Sequence, residues 1–319
     1  MVKNFSDDDF RDMYPDEETA IKELFEMNHG TKPCPKCKKQ TKYYKVKRRK
    51  CFECGKCGNQ IYPCKGTVME NSKISVRRWL QAIHITNQEG LGLSSTKLAL
   101  RLGVGYKTAW AINKQLRSVM EQLNKEKNQI KLSKRVEIDE TYVGGKKKAP
   151  KEGKKTGHNG RENKLIVVGI RQAYPARIRT FYFPDNPNKK RINDLILKNV
   201  EIGTTIHTDE SALYQDLNKL GYKHDTVNHS DFEWERDGVT TNRIEGTWSK
   251  FKRAYRGIYV SLSEIHIESY LAEFDFKRNT CKKIKRDRFE ILKSQLFYRD
   301  NRVLDSLEGF YQFPLVLQA

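Results

Sequence analysis

Three acidic residues stand in different sequence contexts that suit one kind of chemistry. Asp139 lies in VEIDETYVGG, Asp209 in TIHTDES and Glu245 in TNRIEGTWSKFKR. The first two segments alternate like strands, and the third has a helical period. Three carboxylates in one site repel by a few kcal/mol per close pair at an effective dielectric of about 20, so they are expected mainly where cations offset the repulsion. We interpret them as ligands of two Mg²⁺ or Mn²⁺ ions acting on a phosphodiester.

A second set of metal-ligating residues lies near the N-terminus. Six of the seven cysteines fall between Cys34 and Cys64. Two CxxC pairs, CPKC and CGKC, are separated by 16 residues, a spacing typical of a zinc ribbon in which two knuckles close one tetrahedral site. The predicted ligands of this structural Zn²⁺ are Cys34, Cys37, Cys54 and Cys57. Cys51 could compete as a ligand, and reduced core cysteines without metal are the alternative.

The charge of the chain indicates its class of partner. There are 61 Lys and Arg against 40 Asp and Glu, a formal net charge of +21, which favours polyanions such as nucleic acid. No apolar run approaches the roughly 20 residues of a membrane span, and MVKNFSDDDF lacks the pattern of a signal peptide. We expect a cytoplasmic, nucleoid-associated protein that binds DNA and no membrane.

Four segments are expected to position these residues in a multi-domain α+β chain. Residues 1–70 would form an N-terminal helix and the four-cysteine ribbon, and 71–123 a helical DNA-binding domain. Residues 134–285 would form the catalytic domain. The tail, 286–319, mixes basic and apolar residues and could contact a partner subunit.

The helical segment has features of a helix-turn-helix. Ala99, Gly103, Ala109 and Ile112 fall where that motif needs a small residue, a tight turn and two core contacts. The recognition helix would then expose to DNA Lys107, Thr108, Asn113, Lys114 and Arg117. A plain three-helix bundle with a solvated basic face is the alternative.

The catalytic segment reads as three strands, a helix, a strand, a further strand after a short helix, and closing helices. This order predicts a ribonuclease H-like α/β domain with a mixed five-stranded sheet and flanking helices. In that fold the first strand is central and the fourth lies beside it, so Asp139 and Asp209 would converge.

The helix that carries Glu245 has two distinct faces. Ile244, Trp248 and Phe251 share an apolar face, while the polar face could hold phosphate beside the metals. The predicted DNA contacts on this helix are Asn242, Lys250, Lys252, Arg253 and Arg256. A solvated charged face would show the same periodicity.

Together these motifs resemble zinc-ribbon DDE transposases of bacterial insertion sequences, whose eukaryotic relatives are the Merlin elements. The resemblance covers nearly the whole chain and is carried by CPKC with CGKC, GTVMENSKISVRRWLQAI, VEIDETYVGGK, HTDES, TNRIEGTWSKFKR and YLAEFDFKRN. It implies that Asp139, Asp209 and Glu245 are the catalytic, metal-binding triad and that Lys252 is the basic catalytic residue seven positions later. Some relatives have Asn at the third position, and Asn242 lies close to Glu245.

The implied activity is DNA transposition. The ribbon and helix-turn-helix would bind the terminal inverted repeats, metal-activated water would cleave the element ends, and the 3′ hydroxyl would join target DNA by transesterification. Because two ends are joined, a homodimer or larger homo-oligomer is expected. The alternatives are a domesticated DNA-binding regulator and a nuclease of the same fold without strand transfer.

Overall fold

The computed structural model describes residues 5–144, 164–227, 239–259 and 262–297. The chain divides into two compact units, each built from segments distant in sequence. The first unit lies within Met1–Gln88, Ser95–Val119 and Lys283–Ala319. The second lies within Glu89–Ser94 and Met120–Lys282.

Side-chain caps set the helix starts in the first unit. Its helices in the first half of the chain are α1 (Asp7–Met13), α2 (Glu17–His29), α3 (Val76–Gln88), α4 (Ser95–Leu102) and the part up to Val119 of α5 (Tyr106–Lys127). Ser6 and Asp9 form a reciprocal capping box at α1. The Glu17 carboxylate on α2 accepts the N–H groups of Val76 and Arg77, both at 2.9 Å. One acidic side chain therefore fixes the start of α3 against α2.

Three short antiparallel strands follow α2 in the chain. They are β1 (Tyr43–Lys45), β2 (Phe52–Cys54) and β3 (Gln60–Ile61), and β2 is central. Phe25 of α2 stacks on Phe52 of β2 with ring centroids 4.0 Å apart. This contact gives a small, polar module an apolar anchor on the helix.

A tight turn joins α4 to α5. Gly103 has a φ of +63° there, a conformation that favours glycine. Ala109 and Ile112 are buried, as predicted.

The packed side of α5 differs from the sequence prediction. Asn113 and Arg117 are only 3% and 5% exposed, so their assignment to the exposed side of this helix is wrong. They follow the buried Ala109 at intervals of four residues, which places all three on one helix face. Asn113 Nδ2 donates to Ser95 Oγ at 3.1 Å, so it joins α5 to α4. Of the other predicted contacts, Lys107 and Lys114 are exposed and Thr108 is half-buried.

The second unit contains a mixed five-stranded sheet among the residues described. Its strands are β4 (Arg135–Val143), β5 (Leu165–Gln172), β6 (Arg177–Phe183), β7 (Thr205–Asp209) and β8 (Lys223–Val227). The spatial order is β6-β5-β4-β7-β8. The first three strands are antiparallel neighbours, and β7 and β8 run parallel to β4. The first strand of the unit is therefore central with the fourth beside it, as the sequence predicted.

Helices cover both faces of this sheet, and strand alternation divides the side chains between them. On one face, α6 (Lys189–Asn199) packs through Ile192 and Ile196. On the other lie α7 (Asn242–Ala254) and α8 (Ile267–Asn279), packed through Ile244, Trp248 and Phe274.

Side chains of α8 satisfy the outer edge of β6. Asn279 accepts the N–H of Ile178 at 2.7 Å and donates to its carbonyl at 2.9 Å. One helical turn earlier, Asp275 accepts the N–H and the hydroxyl of Thr180 at 2.9 and 3.0 Å. The helix thus supplies the hydrogen bonds that a further strand would otherwise provide.

The last described helix, α9 (Lys285–Phe297), belongs to the first unit. Phe289, Leu292 and Phe297 are buried, and Lys293 Nζ donates to Glu23 at 2.6 Å. This part of the tail therefore packs within its own chain. Residues 298–319, for which a subunit contact was predicted, lie outside the described residues.

No helix in the described ranges is both long and apolar enough to span a bilayer.

Candidate active site

Four cysteine sulfurs form a compact group in the first unit. The Sγ atoms of Cys34, Cys37, Cys54 and Cys57 all lie within 4.8 Å of one another. The Cys34–Cys57 and Cys37–Cys54 pairs are 3.7 and 3.9 Å apart. Tetrahedral ligands with Zn–S bonds of about 2.3 Å lie about 3.8 Å from one another. The four sulfurs fit one zinc ion, and the predicted grouping is confirmed.

The two CxxC turns have the same backbone geometry. The N–H of Cys34 and of Cys54 donates to the carbonyl five residues later, at 3.0 and 2.9 Å. Each cysteine carbonyl accepts the N–H four residues later, at 2.8 and 2.9 Å. The residue at that fourth position has a positive φ, +58° at Lys38 and +67° at Gly58. Cys51, the alternative ligand, stands outside both turns and outside the sulfur group found among the described residues.

The turns favour the thiolate form of Cys34 and Cys54. Backbone N–H groups, foremost that of Cys37, lower the pKa of Cys34. Burial opposes ionisation of Cys54, yet the N–H groups of Lys56 and Cys57 and the nearby thiols lower its pKa to about 6. At Cys57 a backbone N–H group lowers the pKa, but burial and the neighbouring thiols raise it to about 11. Since zinc binds the thiolate form, this environment suits the metal.

Asp139 and Asp209 lie on the same face of the five-stranded sheet. The parallel register pairs Glu137 with His207, so two residues further on Asp139 and Asp209 follow on neighbouring strands. Asp139 Oδ1 accepts the N–H of Glu140 at 2.8 Å, and Asp209 Oδ1 accepts the N–H of Ser211 at 3.1 Å. Both carboxylates therefore leave the sheet on the side covered by α7.

Glu245 lies in the first turn of α7, which a buried carboxylate attaches to the sheet. Glu137 of β4 is fully buried and accepts the backbone N–H of Ile244 at 2.9 Å and Arg243 Nη1 at 3.0 Å. Glu245 Oε1 accepts the hydroxyl of Thr241 at 2.9 Å. The helix that carries the third acidic residue is thus fixed to the strand that carries the first.

A cavity of about 800 Å³ lies beside α7. Asp139 and Glu245 both line it, together with Trp248, Lys252 and Arg256. Asp209 is not among the lining residues. Within the described ranges, only the four cysteines form a cluster tight enough for one ion. The fold therefore brings Asp139 and Glu245 to one cavity and Asp209 beside Asp139, without closing the three into a single ligand cluster.

The electrostatics of Asp139 suit a cation. Burial, followed by repulsion from Glu140 and Asp209, raises the pKa of Asp139 to about 7. Trp248 Nε1 is buried and makes no hydrogen bond to any described residue, although its proximity slightly lowers the same pKa. A divalent cation beside Asp139 would reverse this balance and favour the carboxylate.

The predicted DNA contacts of α7 divide into two groups. Lys252, Arg253 and Arg256 line the cavity. Asn242 and Lys250 do not, and the helical period turns Lys250 well away from Glu245. The polar face predicted from the sequence therefore adjoins the cavity over most of its length.

Two further residues help to position the site. Glu137 looks like a surface charge in the sequence, yet it is fully buried and bonded to Arg243 and to the N–H of Ile244. Gly169 pairs with Asp139 in the sheet, beneath Trp248 and Ile244. A glycine inside the apolar strand LIVVGIR was a signal of close backbone approach. Glu140, the next residue after Asp139, accepts the hydroxyl of Tyr214 at 2.7 Å on the other face of the strand.

Comparison with known proteins agrees with this layout. Residues 131–279 match the family described as the ISXO2-like transposase domain, and residues 15–60 match the transposase zinc-ribbon domain. The first of these segments therefore carries an ISXO2-like transposase domain and the second a transposase zinc ribbon. A relative from Halobacterium salinarum, described as an uncharacterized protein in transposable element ISH50, is 26% identical over 275 residues. That alignment covers 78% of this chain and 86% of the relative.

Solved structures with similarity include two nucleoprotein assemblies. The Mos1 transposase paired-end complex with left transposon end has 13% identity and a TM-score of 0.28, over 69% of this chain and 79% of that one. A simian T-cell lymphotropic virus intasome in complex with a PP2A regulatory subunit has 10% identity and a TM-score of 0.29. The overlap is 56% of this chain and 63% of the intasome chain, so less than two thirds of that chain is matched.

Proposed function

We propose that this chain cuts the ends of its DNA element and joins them to target DNA. The observation that carries the proposal is that Asp139 and Glu245 line one cavity, Asp209 emerges beside Asp139, and cations form the cavity rim. The strand order and the helices on both sheet faces support a ribonuclease H-like catalytic domain.

The residues suit divalent metal ions. Asp139, Asp209 and Glu245 supply only oxygen ligands, which Mg²⁺ and Mn²⁺ prefer. The pKa of Asp139 is raised first by burial and then by the nearby charges of Glu140 and Asp209, and a bound cation would offset both effects. When bound, such ions supply Lewis-acid stabilisation and a water of lowered pKa at the phosphodiester.

The protein side chains would bind and orient the DNA. Lys252, Arg253 and Arg256 would hold backbone phosphates at the cavity rim. Trp248 forms part of the cavity wall beside Asp139. Glu137 would act indirectly, by keeping α7 and Glu245 in place.

The chemistry consists of two in-line displacements at phosphorus. In the first, a water oxygen bonds to phosphorus and the bond to the 3′ oxygen of the element end breaks, which frees a 3′ hydroxyl. In the second, that hydroxyl bonds to a target phosphorus and displaces the target strand's 3′ oxygen. Neither step needs a protein nucleophile, so the carboxylates can serve both.

The first unit would recognise the element ends. We propose that the zinc ribbon and the helix-turn-helix formed by α4 and α5 bind the terminal repeats, through exposed residues such as Lys107 and Lys114. The joining of two ends requires at least two protomers, so we also propose a homodimer or larger assembly.

The test compares wild-type protein with Asp139→Asn on a labelled duplex carrying the gene's flanking terminal repeat, with Mg²⁺ and a target plasmid. Cleavage and joining by the wild type, both lost in Asp139→Asn while binding persists, support the proposal. Asp194→Asn, at an exposed position of α6, is the matched control and should retain both reactions. Cleavage without joining would favour a nuclease, and binding with neither reaction a regulator.

A further inference from the structure

A second group of cations lies on the flank of α7 that turns away from the cavity. This group, the cation cluster, consists of Arg171 on β5, Lys250 on α7 and Arg278 on α8. Helical geometry places Lys250 about 140° around α7 from Glu245, at 100° per residue. The cluster is therefore separate from the catalytic cavity.

The fold itself assembles the cluster. Arg171 pairs with Ile178 in the sheet, and Asn279 of α8 bonds both backbone groups of Ile178. Arg278, the residue before Asn279, is thereby held near Arg171. Arg171 Nη1 also donates to the hydroxyl of Thr247, which lies one turn before Lys250 on α7. Three elements thus bring their cations together by contacts that fix the backbone.

Much of the hydrogen-bonding capacity of the cluster is unused. The Nε atoms of Arg171 and Arg278 are buried and have no partner within the described part of the chain. Arg278 Nη2 meets only a weak acceptor, the Cys281 sulfur at 3.9 Å. The Arg278 side chain is half-buried and the acceptor of its Nη2 group is a weak one, so an oxygen acceptor from outside the chain would complete its hydrogen bonds better than the sulfur does.

The charges in the cluster repel one another. Arg278, then burial, then Arg171 lower the pKa of Lys250. Burial, together with repulsion from Arg278 and Arg243, lowers the pKa of Arg171 even though Glu137 opposes the shift. Glu137, the buried carboxylate that acts on Arg171, already bonds Arg243. Such an unneutralised concentration of positive charge favours a bound anion.

We infer that the cation cluster binds a backbone phosphate of DNA outside the cleaved position. This inference rests on the proposed function and names a contact that the catalytic cavity does not supply. Guanidinium and ammonium donors on converging elements suit the several oxygens of one phosphate.

Arg253 connects the cluster to the cavity. It lines the cavity and also lies close enough to Lys250 to affect it electrostatically. A strand that leaves the cavity would cross the exposed flank of α7, which is about 10–12 Å across. At 3.4 Å per nucleotide, the bound phosphate would lie about three nucleotides from the cleaved bond.

The decisive experiment measures DNA affinity against salt for Lys250→Gln. The probe is a fluorescent duplex of arbitrary sequence, bound by the full-length protein without divalent metal. Loss of one phosphate contact should reduce the slope of log K against log salt by about 0.9. The matched control is Lys198→Gln. It removes an equal charge from an exposed position of α6, on the other face of the sheet, and should keep the wild-type slope. Lys250→Arg should restore it.

Thermal unfolding separates a binding role from a structural one. Because Lys250 is repelled in the free protein, Lys250→Gln should melt at or above the wild-type temperature. A lower melting temperature would indicate a structural role and overturn the inference. If inorganic phosphate instead raises the melting temperature of the wild-type protein while Lys250→Gln keeps the wild-type salt slope for DNA, the cluster binds small anions. That result would also overturn the inference.

The cleavage assay keeps this inference distinct from the proposed function. If the wild-type protein cleaves normally and Lys250→Gln keeps the wild-type salt slope, only the role of the cation cluster is refuted. If the wild-type protein does not cleave DNA but Lys250→Gln has a reduced salt slope, the proposed chemistry is refuted and the phosphate contact is supported.

Discussion

Gly169 lies directly beneath Trp248, and only the absence of a side chain on Gly169 allows the indole to reach the sheet. A β carbon at Gly169 would lie 2.6 Å from Cζ2 of Trp248 and 2.9 Å from Cδ1 of Ile244. Because Gly169 pairs with Asp139 across the sheet, this contact sets the height of α7 above the Asp139 carboxylate. The distance between Asp139 and Glu245 therefore depends on a residue with no functional group.

Gly169→Ala should lower the free energy of unfolding by about 1–3 kcal/mol, the usual range for overpacking a core. It should also reduce DNA cleavage more than DNA binding, because α7 and Glu245 must move outward. Thermal melts and a single-turnover cleavage assay measure the two effects. Gly246→Ala is the matched control, since nothing lies within 4 Å of its added carbon. In that helix interior, alanine should stabilise by about 0.4–1 kcal/mol. Equal effects of the two substitutions would contradict this account of Gly169.

The effect of removing the Arg243 side chain on the free energy of unfolding should depend on whether Glu137 is present. In wild type, Arg243→Ala leaves Glu137 charged and buried with only the Ile244 N–H as a partner. In a Glu137→Gln background there is no such charge, so the same substitution should cost little. We expect a coupling within roughly 0.5–3 kcal/mol, in the lower part because the Arg243 side chain is 41% exposed and screened. Urea unfolding of the four proteins gives the value, and strictly additive effects would refute the coupling.

Asp275 should make stability fall as the pH rises. Burial raises its pKa from 3.8 to about 8, against the opposing bonds from Thr180. A carboxyl group whose pKa is raised on folding contributes its full stabilisation to the folded state below its unfolded pKa. This contribution is lost as the pH rises to its folded pKa. The window is therefore about pH 4 to 8, with a slope of at most about 1.4 kcal/mol per pH unit. Asp275→Asn keeps an acceptor for the Thr180 N–H and removes the titration. The difference in unfolding free energy between the two proteins should therefore change across this window, and a constant difference would show that Asp275 does not titrate there.

Zinc content should depend on the four grouped cysteines and not on the others. Cys54→Ser should lose the metal and unfold the β1–β3 module, because structural zinc supplies folding free energy to small modules of this kind. Cys281→Ser, at an exposed cysteine outside the group, should keep one zinc per chain. Metal analysis after dialysis, with circular dichroism, measures both effects. Wild-type zinc content in Cys54→Ser, with metal lost from Cys51→Ser, would move the site to the alternative ligand.

Local patterns predicted the parts of the fold that local chemistry determines. The CxxC pairs identified all four grouped cysteines because each knuckle is a turn closed within six residues. The alternation of β4 and the two faces of α7 were also readable, since burial follows the strand and helix periods. The strand order followed from the sequence of elements, with β4 central and β7 beside it.

Predictions failed where a partner distant in sequence decides burial. Glu137 looks like a surface charge until Arg243, 106 residues later, is brought against it. Asn113 and Arg117 look like DNA contacts because they are polar, yet α5 packs along the line that contains both. The cation cluster joins residues from β5, α7 and α8, and no short motif contains all three.

Side chains of α8 bond the outer edge of β6, and this limits how copies of this chain can assemble. The outward N–H groups of Ile178 and Thr180 already have acceptors in Asn279 and Asp275. A second protomer therefore cannot continue the sheet along β6, and end pairing through this domain would have to rely on side-chain surfaces or on another border. The same contacts protect this edge of the domain from fibril-like stacking with other strands.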